Sequence, residues 1–243
     1  MYGGNKYRIY TTTAISFNQT FAEDSYPVKT LHDQSKMLEN ITITKANPAS
    51  FSFDVPLTIE KNESIVLALA SDLVAKTGDP ESNVSTRHNA TENGISSQQL
   101  KAFDMYVQTG SSTYKVKNCV VTSANFDFKS EGQFTIRLEG QGTKVSRAGN
   151  ESYTIPGSAI SESATRTPLL IYPVVSIDSL NMSSIISVTL QIQNDINYTT
   201  FATLQNSLSV TSSSNVQFPS SYTVEKRIVS GEIRQYQTDN NNT

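Results

Sequence analysis

The chain has no tryptophan, one cysteine and two histidines among 243 residues. Each shortage closes off a class of function. A single thiol, Cys119, makes no intrachain disulfide, and its place inside a strand-like stretch suits a small apolar core residue. His32 and His88 lie in polar stretches. Neither has a second His or a Cys at the spacing that zinc requires. The carboxylate run of a calcium loop is missing, and so are G-x-S-x-G, H-E-x-x-H and G-K-S/T. Gly140-Gln141-Gly142 follows a strand pattern, but no helix pattern comes after it, as a phosphate cradle would demand. From this census we expect no enzyme, no metal site and no cofactor.

Charge and grease are also scarce. Charged residues make up 17% and hydrophobic residues 37% of the chain, with a net charge of −3. A mildly acidic surface argues against a protein that grips nucleic acid phosphates, which takes a basic patch. No run of about 18 apolar residues occurs, and the amino terminus has no apolar core of a signal peptide, so neither a membrane span nor secretion is expected. The Asn-X-Ser/Thr triplets, Asn40-Ile41-Thr42 among them, then follow from composition and are not glycosylation sites. Uncharged polar residues fill the remainder. They suit long loops, strands with one wet face, and wet contacts between subunits.

What is present is alternation. The strongest stretch is Phe103 to Lys144, which reads as four short strands. Phe103, Met105 and Val107 alternate with polar residues, and Gly110-Ser111-Ser112 turns the chain. Tyr114 and Val116 form a second strand, and Ala124, Phe126 and Phe128 a third. Ser130-Glu131-Gly132 turns again into Phe134, Ile136 and Leu138. Such a period of two across turn residues marks antiparallel strands with one covered face.

Elsewhere, Lys6 to Phe17 reads as one long strand, and Asn18 to Lys36, which holds Pro27, as a long loop. Strand pattern resumes at Ile41 to Thr44 and again from Phe51 to Ile59. There Pro56, having no N–H, asks for an edge or a bulge. One helix is expected over Ser64 to Ala75, with Asn62 as its cap and Gly78 and Pro80 beyond its end. Ile65, Leu69 and Leu73 form its stripe, while Val66, Leu67, Ala70 and Val74 spread apolar surface further round. A lone surface helix shows a narrower stripe. It is therefore either sunk in its own core or covered on a second side by another subunit.

Thr77 to Gln99 is a polar loop, either disordered or a contact arm. Val145 to Thr167 is a candidate boundary or long crossover. Leu169 to Ile177 and Ser187 to Gln193 return to strand pattern, Phe201 to Leu208 has helical spacing, and Thr223 to Tyr236 alternates weakly around Gly231, which suggests a bulge.

Several segments together resemble a known family. They are Lys117-Asn118-Cys119-Val120-Val121-Thr122-Ser123-Ala124-Asn125-Phe126-Asp127-Phe128, Glu131-Gly132-Gln133-Phe134-Thr135-Ile136, Lys29 to Lys36, Ile43 to Phe51, Ser187 to Asn194 and Val229 to Arg234. Their order of strands and turns is similar to that of tail tube proteins of long-tailed bacteriophages. The resemblance implies a mainly β fold, an antiparallel β-sandwich or partial barrel with one flanking α-helix and long loops, across a single domain spanning 1–243. It implies rings, usually hexameric, stacked into a tube in the virion tail and assembled in the host cytoplasm. DNA would pass through the lumen without specific binding. The partners would be further copies of the chain and other tail proteins, sheath or baseplate. Subunit contacts are expected at Ile65, Val66, Leu69 and Leu73 of the helix and at Phe126 and Phe128 of the meander. The alternatives are another tail ring component, a terminator or baseplate ring, or a β-sandwich binding module. The last would present an aromatic platform, which the lack of tryptophan disfavours.

Overall fold

The computed structural model describes residues 4–30, 33–58, 65–66, 69–70, 100, 102–129, 133–160, 175–177, 180–182, 184–199 and 218–236, the side chains of 23–44, 175–182 and 199 aside. Its strands are β1 (Asn5–Lys6), β2 (Ser16–Asn18), β3 (Phe21–Thr30), β4 (Asp33–Ala46), β5 (Ala49–Pro56), β6 (Phe103–Gln108), β7 (Ser112–Lys129), β8 (Thr135–Gly142), β9 (Lys144–Asn150), β10 (Ser158–Ala159), β11 (Val175–Ile177), β12 (Leu180–Met182), β13 (Ile185–Thr199) and β14 (Ser221–Gln235). The main sheet runs in the order β14-β13-β7-β8-β5-β2. All its neighbours are antiparallel. The sheet is open, and the fold is mainly β with no closed barrel among the described residues.

The second and third strands expected in the central stretch are one strand, β7, of 18 residues. Nothing between Lys117 and Ala124 stops a strand except Asn118, and Asn118 bends the chain rather than turning it. Its φ is 49°, in the left-handed region that asparagine tolerates better than most residues. Before the bend β7 pairs with β9, and with β6 as far as Cys119 just past it. After it β7 pairs with β8 and β13. One strand therefore belongs to two sheets.

The core lies on one face of the main sheet. Phe53, Leu138, Ala124 and Ile192 stand in one cross-strand row, and Val55, Ile136, Phe126 and Leu190 in the next. Phe103 of β6 meets Phe51 edge-on at 5.9 Å, which folds the second sheet over the first. Ile136, Leu138 and Val55 are fully buried, and each such side chain contributes about 1.5–3 kcal/mol from burial. At Gly140 the sheet leaves no room for a side chain, because an added Cβ would stand 2.4 Å from the carbonyl oxygen of Val120.

Several expectations are corrected. The long strand over Lys6 to Phe17 reduces to β1 and β2. Tyr7, Ile9, Ile15 and Phe17 still pack on the core, so the alternation gave the facing of the side chains without a ladder. Asn18 to Lys36 is no loop, since it holds β3 and the start of β4, which pair as a ribbon from Phe21↔Ala46 to Thr30↔Asp33. Pro27 disguised it, although a two-stranded ribbon has free outer sides where a missing N–H is harmless. Val145 to Asn150, the start of the supposed boundary, is strand β9. Gly231 is no bulge: it pairs directly with Leu190, and a Cβ there would meet the carbonyl oxygen of Thr189 at 2.7 Å.

Pro56 does lie at a local edge, because β2 covers only Ser50 to Ser52 of β5. Most of the helix expected over Ser64 to Ala75 lies outside the described residues, so a flanking helix is not established. Ile65, Val66, Leu69 and Ala70 are its described part, helical in backbone and buried. Thr77 to Gln99 and Phe201 to Leu208 also lie outside, as do His32 and His88.

Candidate assembly surfaces

The bend in β7 is held by charge. The Asn118 N–H donates to Asp104 Oδ1 at 3.0 Å, and Lys115 Nζ lies 2.7 Å from Asp104 Oδ2. Burial pushes the Asp104 carboxyl up, but the hydrogen bond from Lys115, the Asn118 amide and the lysine's charge outweigh it and leave the group below its ordinary value. On the far side the Tyr198 hydroxyl lies 3.1 Å from the Asn118 carbonyl oxygen and 3.0 Å from that of Gln141. Its single proton is shared between two acceptors, and burial pushes the phenol well above its usual value. Next to the bend, Cys119 is fully buried and its Sγ donates to the Val116 carbonyl at 3.3 Å. Burial raises the thiol to about 12, so it is neither a nucleophile nor a metal ligand at neutral pH.

Behind the core, the other face of the main sheet is polar. Ser52, Glu139, Ser123 and Gln193 form one row, Asp54, Arg137, Asn125 and Gln191 the next, and Thr135, Asp127 and Thr189 a third. Its charges are mixed: Lys129 pairs with Asp127 at 2.7 Å and Arg137 with Glu139 at 3.0 Å. Two shallow depressions of about 290 and 390 Å³ adjoin at Thr122. They are open; polar groups dominate the first, which also touches Phe51, while the second mixes polar groups with the apolar Ile228. A pocket for a small organic ligand is concave and encloses its occupant, and neither depression is enclosed.

At one end of the sheet stands β14. A buried amide ties it to the core: Asn194 Nδ2 donates to the Val121 carbonyl at 3.0 Å, and Asn194 Oδ1 accepts from Arg227 Nε at 2.7 Å. Beyond that tie, both faces of β14 are largely exposed, with Ile228 at 43% and Val229 at 41%. The β3–β4 ribbon is a two-stranded sheet of its own. Its base is clamped by Gln19, whose Nε2 donates to the carbonyls of Asn47 at 2.9 Å and Thr143 at 3.1 Å, and whose Oε1 accepts from the Val145 N–H at 2.9 Å.

Of the side chains expected at subunit contacts, five are described. Ile65, Val66, Leu69 and Phe126 are buried in this chain's own core, and Phe128 packs against it. Leu73 lies outside the described residues. The covering that the broad apolar stripe required is thus supplied, for Ile65, Val66 and Leu69, within the chain. Sequence reasoning did not single out β14 or the ribbon. The signals were there, in Ile228-Val229 side by side on a strand and in an acceptable strand pattern around Pro27.

The described residues thus form an open antiparallel sheet with a polar back face and a separate two-stranded ribbon. The model of the Bacteriophage Baseplate Tube Protein Family matches residues 1–243, and the chain belongs to that family. It is a structural component of the phage tail and baseplate, found in the virion with other tail proteins. The match supports a phage tail or baseplate tube protein, in line with the resemblance to tail tube proteins, without being specific to long-tailed phages. No curated protein matches the chain.

Proposed function

We propose that the chain is a ring-forming subunit of the tube at the baseplate, and that its rings stack round a channel through which DNA leaves the particle. The observation that carries this reading is the open main sheet, polar on the back and ending at β14 among the described strands. Rings built by repeating such a sheet would satisfy its edge and turn one face inward. The polar face is the better lining. It offers hydroxyls, amides and charges of both signs instead of a basic stripe, so a polyanion meets no continuous attraction in transit. The role is structural rather than catalytic. We take the membership in a baseplate tube family, together with the resemblance to tail tube proteins, as support for the ring.

The test is assembly of the purified chain. Negative-stain images and mass photometry at rising concentration are expected to show rings or short tubes. A protein that stays monomeric throughout, alone and with baseplate proteins, would sink the proposal.

A further inference from the structure

The second sheet carries an unbalanced charge. Its strands, β6, the first half of β7 and β9, hold Lys115, Lys117, Lys144 and Arg147 against one acid, Asp104. Val116 and Val145 stand opposite each other and pack on the core, so Lys115, Lys117 and Lys144 belong to the outer face. There Lys117 lies directly across the ladder from Lys144, and like charges in that position oppose pairing. Asp104 is already engaged by Lys115 and by the Asn118 amide. Elsewhere an exposed cation sits two residues from an acid and pairs with it, as Lys129 does with Asp127, Arg137 with Glu139 and Arg234 with Glu232. Among the described residues, the Lys117 ammonium has no such partner, and Lys144 Nζ meets only the Phe218 ring, at 4.4 Å from its centre. The backbone beneath them is fixed. The Lys117 carbonyl accepts from the Thr143 N–H at 2.8 Å and from the Thr143 hydroxyl at 3.1 Å. Gln19 holds the Thr143 carbonyl and the Val145 N–H. Two like charges kept side by side on a rigid support weaken the isolated chain and suit an anion that comes from outside it.

We propose that Lys117 and Lys144 dock an acidic segment of another tail protein, whose carboxylates bridge the two ammonium groups. The site belongs to the second sheet and not to the polar back face of the main sheet. Two cations on a single rung are too few to grip a duplex, which takes a basic stripe. A second copy is the weaker source of the acid, because its exposed Asp127, Glu139 and Glu232 are paired within their own chain. Other tail proteins accompany a member of this family in the virion. The proposal stands on that membership and requires no ring.

Carbodiimide coupling in isolated tails tests this, because the reagent joins a lysine amine only to a carboxylate in contact with it. Mass spectrometry is expected to find Lys117 or Lys144 joined to an Asp or Glu of another tail protein. Both lysines should also acetylate severalfold more slowly in tails than in the isolated chain. A joint to a carboxylate of a second copy overturns the choice of partner and with it the proposal. Protection that vanishes when the DNA is released assigns the lysines to nucleic acid and overturns it too, as does equal acetylation in tails and in the isolated chain. Where the lysines are protected but no joint forms, charge reversal decides. Lys117→Glu sets an acid opposite Lys144, so the isolated variant should melt no lower than the native chain, yet it is expected to enter tails severalfold less. Arg147→Glu, the same reversal on the other face of β9, should enter normally. Equal incorporation of the two variants overturns the proposal. None of these outcomes bears on the ring, which imaging judges separately.

Discussion

Strands β8 and β14 belong to one sheet, yet they live in different surroundings. β8 alternates strictly, with Ile136, Leu138, Gly140 and Gly142 buried. β14 carries Val229 in the same cross-strand row as Leu138, Ala124 and Ile192. Exposure along that row runs from 0% at Leu138 and Ala124 through 8% at Ile192 to 41% at Val229. The difference lies in what covers the row. Leu138, Ala124 and Ile192 belong with Val66 and Phe103 to one buried cluster, and Val229 does not. Alternation tells which way a side chain faces. A second layer decides whether that face is dry.

The comparison can be broken most severely at Gly140. Gly140→Ala puts a Cβ against the Phe51 ring and the Val120 carbonyl oxygen, and the backbone oxygen cannot swing away. We expect insoluble or unfolded protein. A soluble variant with an unchanged melting temperature would show that the middle of the sheet is looser than described. Next, Leu138→Ala is expected to cost about 2–5 kcal/mol in urea unfolding, whereas Val229→Ala, in the same row, should stay within about 0.5 kcal/mol in the isolated chain. Equal losses at the two positions would erase the distinction.

Asn194→Ala removes the tie between β14 and the core. It leaves the Val121 carbonyl without that donor, and the loss should be about 1–3 kcal/mol. The same denaturation series checks it.

The smallest effect concerns pH. The folded Asp104 carboxyl lies below its ordinary 3.8. Its contribution is therefore present above that value and lost as pH falls through the lower, folded one. Its partner Lys115 is raised above 10.5, because the bonds to Asp104 and Tyr106 outweigh burial. That contribution is present below 10.5 and lost as pH rises through the folded value. Asp104→Asn should shrink the loss of stability below pH 3.8. An unchanged acid limb in a plot of melting temperature against pH would count against the clamp at Asn118.

Much of this was readable from residues alone. Phe51, Phe53 and Val55, and Phe126, Ile136 and Leu138, declared a covered face, and they are the core. The lone Cys119 read as a core residue and is one. Other features were hidden for physical reasons. The ribbon was masked because a proline looks like a stop when the number of neighbouring strands is unknown. The unity of β7 was masked because a bend at one asparagine and a turn look alike without the partner strands. Subunit contacts were sought on the most apolar side chains, Ile65, Val66, Leu69 and Phe126. Hydrophobic character cannot say whether the cover comes from the same chain or another. The less apolar β14 ends the main sheet among the described strands.

The double membership of β7 bears on how the domain comes apart. A single backbone threads both sheets, so one sheet cannot melt and leave the other whole. Heating should therefore give one calorimetric peak for the body of the isolated subunit, and its van't Hoff and calorimetric enthalpies should agree. In the tube proposed above, a subunit that holds or yields as one piece would keep the wall from shedding layers under load.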